Sequence, residues 1–108
     1  MRIVSTLTEH INVLETHWDA IVEQMNNPNG IMNHLLRTTI LNEAEVYEID
    51  LKETKSDKIK ALLNILIRKP DLAFKGFCDA LTEEDQCHFF VRHLGNLFAH
   101  YFKHIFLI

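Results

Sequence analysis

Apolar residues recur at helical spacing along almost the whole chain, and little in the sequence can break a helix. The 108 residues include 3 Gly and 2 Pro. That scarcity excludes a β-protein built on many tight turns, and equally a glycine-rich phosphate cradle. Helices joined by short loops are predicted. The first opens on a Thr6-x-x-Glu9 capping box and carries Ile11, Leu14, Trp18, Ile21, Val22 and Met25 on one face, ending in the break Asn26-Asn27-Pro28-Asn29-Gly30. Ile31, Met32, Leu35 and Leu36 mark a short second helix, and Asn42 caps a third with Glu45 at the capping-box position. The fourth starts at Ser56, with Asp57 in its first turn, and buries Ile59, Leu62, Leu63 and Leu66. After Lys69-Pro70, a fifth helix places Phe74, Phe77, Cys78 and Leu81 at i, i+3, i+4 and i+7. Thr82 then caps a sixth, which repeats that spacing with Cys87, Phe90, Val91 and Leu94. Six amphipathic helices with such loops make an antiparallel all-α bundle.

This length leaves room for one domain, and the 47% apolar and 24% charged composition is that of a folded domain with a real core. The formal charge of -4 is unevenly spread. Residues 1–50 hold eight acids and two bases, whereas residues 51–108 hold seven acids and nine bases, seven of those bases between Lys52 and Lys75. A molecule with two signs of charge can attract copies of itself or similar partners, and its net charge is a poor fit to nucleic acid. Two cysteines, Cys78 and Cys87, both in helical patterns, fit a reducing setting. No apolar run approaches the roughly 20 residues of a membrane span, and the first residues lack a signal peptide's apolar core, so a soluble cytoplasmic protein without membrane contact is expected.

The stretch from Asp57 to Leu66, DKIKALLNIL, followed by Arg68 to Leu81, RKPDLAFKGFCDAL, resembles the fourth and fifth helices of caspase recruitment domains (CARDs). Gly30 to Leu36 and Ile40 to Ile49 look like that family's second and third helices, and Gln86 to Leu94 falls where its sixth lies. The resemblance spans about residues 6–95 and is most specific over 57–81. It implies a six-helix antiparallel Greek-key bundle, the death fold, over residues 1–95, with residues 96–108 as an aromatic C-terminal extension. It also implies a homotypic module that recruits or regulates caspases or adaptors in apoptosis or innate immunity, with another CARD protein as partner. No catalysis and no cofactor are implied. A chain of this length reads as a CARD-only regulator or as a piece of a larger caspase or adaptor.

In the family, a basic surface from helices one and four meets an acidic surface from helices two and three. By resemblance, Glu43, Glu45 and Glu48 form the acidic partner surface and Lys55, Lys58 and Lys60 the basic one. Helix one departs from the pattern: it carries His10, Glu15, His17, Trp18, Asp19 and Glu23 where basic members carry arginines. The acidic surface is therefore the stronger expectation. Reversing Glu43 and Glu45 together is expected to abolish binding while leaving stability within about 1 kcal/mol, as for ordinary surface changes.

Blander readings stand beside these. Lysines on helix four can be a solvated face, and the glutamates can simply support the start of helix three. Cys87, His88, His93, His100 and His104 suggest a small metal-binding protein, but their positions on the helical pattern do not converge on one point, and no metal site is expected. Cys78 lacks any nameable orienting group and reads as core. The tail, with Leu97, Phe98, Tyr101, Phe102 and Ile105, either extends helix six or forms a self-association surface that drives a structural bundle; His100, Lys103 and His104 argue against membrane contact.

Overall fold

The computed structural model describes residues 11–84, and within them the chain is all-helical, without a strand. Residues 11–16 are helical, His17 is a turn residue, and helix α1 (Trp18–Gln24) follows. The backbone ladder runs straight through this turn: His17 N–H donates to Val13 O at 3.1 Å, and Ile21 N–H donates to His17 O at 2.9 Å. The 11–24 stretch is thus one distorted helix, with Leu14 and Ile21 fully buried, Met25 fully buried at its C-cap, and Trp18 half-buried at the core's edge.

The sequence break at 26–30 is shorter than expected. Helix α2 (Pro28–Arg37) starts inside it, because the Asn27 side chain accepts a hydrogen bond from Gly30 N–H at 3.2 Å and Pro28 stands at the first helical position, where a missing N–H costs nothing. At its other end, Thr39 N–H donates to Leu36 O and Ile40 N–H donates to Leu35 O, the pairing of a Schellman turn. Glycine usually occupies the left-handed position of that turn; here it is Thr39, at φ 63°.

Helix α3 (Glu43–Asp50) has the expected capping box: Asn42 accepts from Glu45 N–H at 2.8 Å, and the Glu45 carboxylate accepts from Asn42 N–H at 3.0 Å. Helix α4 (Lys55–Leu66) begins one residue before the expected Ser56, because Thr54 is the cap, accepting from Asp57 N–H at 3.1 Å. Helix α5 (Asp71–Glu83) begins directly after Pro70. It runs past the position where Thr82 was expected to cap a new helix. Thr82 lies inside α5, its hydroxyl donating to Cys78 O one turn back at 3.0 Å. The expected Thr6-x-x-Glu9 box, the sixth helix, the C-terminal Cys and His positions, and the 96–108 extension all lie outside the described residues.

Helix α4 is the central element. It packs on α1, α2 and α3, while α2 also packs on α5. This is why α4 buries five apolar residues in twelve positions, Ile59, Leu62, Leu63, Ile65 and Leu66. Each contributes on the order of 1.5–3 kcal/mol on leaving water. Phe77 is the largest of the fully buried side chains, and Phe74 is buried with it in the core. Two close approaches fix α5. A Cβ on Gly76 would lie 1.8 Å from Ile40 Cδ1, and the Glu84 carboxylate lies so near the first turn of α2 that a Cβ on Gly30 would be 2.6 Å from its Oε1. An anion there faces the positive end of the α2 dipole.

Candidate functional site

The acidic and basic residues predicted for partner binding come together on neighbouring helices, α3 and α4, yet two of the six, Glu45 and Lys58, have partners inside the molecule. Glu45, inside the capping box, also accepts from Lys69 Nζ at 2.9 Å, with both side chains about four-fifths buried. Burial alone would raise the Glu45 pKa, but the hydrogen bonds from Lys69 and from Asn42 N–H outweigh it and hold the carboxyl below its ordinary value. At the other end of α3, Lys58 Nζ donates to Asp50 O at 3.1 Å and stands 3.9 Å from Asp50 Oδ1. Two ionic contacts therefore fasten the two ends of α3 to α4 and the turn after it.

Glu45 and Lys58 are thus committed inside the molecule. This corrects the expectation that reversing Glu43 with Glu45 would leave stability nearly untouched. A lysine at 45 would lose the cap and stand against Lys69. The sequence carried half of this signal, since the capping box was legible; Lys69, 24 residues away, was not.

The remaining predicted residues face water. Glu43 and Glu48 are exposed on α3, and Lys55 and Lys60 are exposed on α4, none of them paired among the described residues. Asp57, Lys60 and Asn64 follow one another along the outer side of α4, with Arg68 exposed in the turn after it. On α1, which packs on α4, and on the helical residues that precede it, Glu15, Asp19 and Glu23 are exposed at intervals of four, which makes one acidic stripe. The α1–α4 side is consequently mixed in charge, whereas the free charges on α3 itself are both negative.

Sequence reasoning missed the exposed apolar residues on this helix and its C-cap, Tyr47 and Leu51, at 65% and 63% exposure. A signal was available: α3 with its C-cap holds two apolar stripes, Val46 with Ile49 and Tyr47 with Leu51, and a surface helix can bury only one.

Cys78 is buried, and burial, reinforced by Asp79, pushes its thiol up to about 12. It is a core residue. Among the described residues no group of His, Cys, Asp and Glu could hold a metal ion, and no helix is long and apolar enough to cross a membrane.

A comparison with curated proteins finds no match. The family model for the caspase recruitment domain matches residues 11–94, most of the chain, and spans every helix described above. This is a family of interaction domains, not catalytic ones, with the all-helical death fold. The chain belongs to the caspase recruitment domain family.

Proposed function

We propose that this protein is a homotypic adaptor or regulator that docks another CARD, on a caspase or a signalling scaffold, in cytoplasmic apoptotic or innate immune signalling. The observation that carries the reading is the pair Glu43 and Glu48, exposed and unpaired among the described residues of α3 on a chain of this family. Two free carboxylates on one short helix, beside a Glu45 already paired with Lys69, present a negative field to an approaching partner. A CARD with a basic face fits that field. Complementary charge of this kind mainly speeds encounter and rejects wrong partners. Lys55 and Lys60 form the second, weaker surface, because the acidic stripe of Glu15, Asp19 and Glu23 borders their helix.

Binding to a panel of purified CARDs tests the reading. At least one basic-faced member is expected to bind, and Glu43→Lys with Glu48→Lys is expected to abolish that binding while the helical circular dichroism signal is unchanged. Lys55→Glu with Lys60→Glu is expected to weaken it less. Failure of every CARD to bind, or full affinity in the α3 double reversal, would overturn the assignment.

A further inference from the structure

Helix α3 carries more apolar surface than the fold uses. Val46 and Ile49 turn inward to the core, whereas Ala44, Tyr47 and Leu51 succeed one another at helical spacing on the opposite, exposed side. Of the three large apolar side chains standing well out in water among the described residues, Leu72 is isolated at the start of α5. Tyr47 and Leu51 are i, i+4 neighbours and form one strip. Single exposed apolar residues are ordinary; two adjacent large ones within a rim of charge resemble the anchor of a protein interface, where tyrosine is enriched. The rim is supplied by Glu43 and Glu48 along the strip and Lys52 at its end. Glu45 and Asp50, which would otherwise extend the rim, are held by Lys69 and Lys58.

We propose that Tyr47 and Leu51 are the anchor of a docking site for a partner helix that carries its own apolar stripe flanked by lysine or arginine. Charge selects this occupant. A second copy of the same strip, paired about a two-fold axis at Tyr47, would set Glu48 against the other copy's Glu48, and like charges in contact oppose docking. A basic-flanked helix instead neutralises Glu43 and Glu48 while covering the tyrosine and leucine. The eight residues of α3 rise about 12 Å, so the strip receives about two turns of a partner helix. The inference rests on the reading of α3 as the partner surface and divides its work: the acids set the association rate, and the apolar pair sets the dissociation rate.

The test titrates the isotope-labelled full chain with a synthetic helical peptide bearing a leucine stripe flanked by lysines, and with its counterpart bearing glutamates. Backbone resonance shifts centred on residues 43–52 are expected with the lysine peptide and none with the glutamate peptide. Tyr47→Ser with Leu51→Ser is expected to weaken the lysine peptide ~10-fold or more at any salt concentration, through faster dissociation. Glu43→Gln with Glu48→Gln is expected to weaken it several-fold at low salt only, through slower association. Shifts centred elsewhere, equal binding of the glutamate peptide, or unchanged binding in the double serine variant would overturn the proposal. The CARD panel separates the two readings. Peptide binding on α3 without any CARD binding would sink the homotypic function and keep the site. CARD binding that needs Glu43 and Glu48 but ignores the double serine variant would sink the anchor alone.

Discussion

Replacing Glu45 by Ala should unfold the protein more easily than replacing either neighbouring glutamate, although all three are acids on one helix. Three effects add at position 45. The capping-box bond to Asn42 N–H is lost, worth about 0.5–1 kcal/mol within the usual range for a cap. The 2.9 Å contact with Lys69 goes as well, and because both partners are largely shielded from solvent it sits at the upper end for ion pairs near a surface, about 1 kcal/mol. A first-turn negative charge also disappears from α3, worth about 0.3–1 kcal/mol. The total is about 2–3 kcal/mol, or a melting temperature lower by about 8–12 °C for a domain of this size. Glu43→Ala loses only the last effect. The pH dependence provides a second handle. Because the folded Glu45 pKa lies below its ordinary value of 4.5, the stability it contributes is present above that value and is lost as pH falls through the folded pKa. The gap between wild type and Glu45→Ala should therefore narrow as the solution is acidified. Thermal melts of wild type, Glu45→Ala, Lys69→Ala and the double variant measure the coupling between the two side chains. A Glu45→Ala melt within about 2 °C of wild type, or a gap that widens toward low pH, would refute the clamp.

Thr39→Asn should stabilise the protein by about 1 kcal/mol in urea denaturation, because a β-branched residue occupies the left-handed position at φ 63° where Asn or Gly is favoured; an unchanged midpoint would show that the position carries no strain. Gly76→Ala should be destabilising in the wild type but neutral or better beside Ile40→Val, which removes the Cδ1 atom that the new Cβ would strike. Denaturation of the four variants should give a coupling of about 1 kcal/mol or more, whereas additive effects would contradict the close approach. In the folded protein at pH 8, Cys78 should resist alkylation by iodoacetamide, since a thiol raised to about 12 is almost wholly protonated and is also buried; rapid labelling of the Cys78 peptide by mass spectrometry would contradict this.

What the sequence made legible follows the range of each interaction. The Asn42–Glu45 box and the apolar spacing of α4 and α5 were readable because their partners lie three or four residues apart. The start of α4 was misplaced by one residue because Thr54, Ser56 and Asp57 are all acceptable near a helix start, and only the Thr54 bond to Asp57 N–H settles which one caps. Thr82 misled for a related reason: a threonine after an apolar run can begin a new helix or bond back into the old one, and here its hydroxyl reaches Cys78 O. The candidate site was only half visible, since nothing local in the sequence marks Lys69 as the partner of Glu45 or Lys58 as that of Asp50.

These internal pairs change how the charge asymmetry bears on function. A count of acids before Leu51 and bases after it treats every charge as available to a partner. The fold removes Glu45, Lys58 and Lys69 from that pool by using them between α3 and its neighbours. Holding α3 by its two ends leaves its outer side unencumbered, with Tyr47 and Glu48 in its middle and Leu51 at its C-cap. The clamp and the docking strip therefore depend on the same helix in different ways. Weakening the clamp at Glu45 should lower stability and loosen α3 together, so partner binding would fall even though Glu45 itself touches nothing outside. Weakening the strip at Tyr47 and Leu51 should leave the melting temperature close to that of wild type and weaken binding alone, as expected of exposed residues. Charge reversal at Glu45 would mix the two effects, so Glu43 and Glu48 are the positions at which a loss of binding can be ascribed to the surface itself.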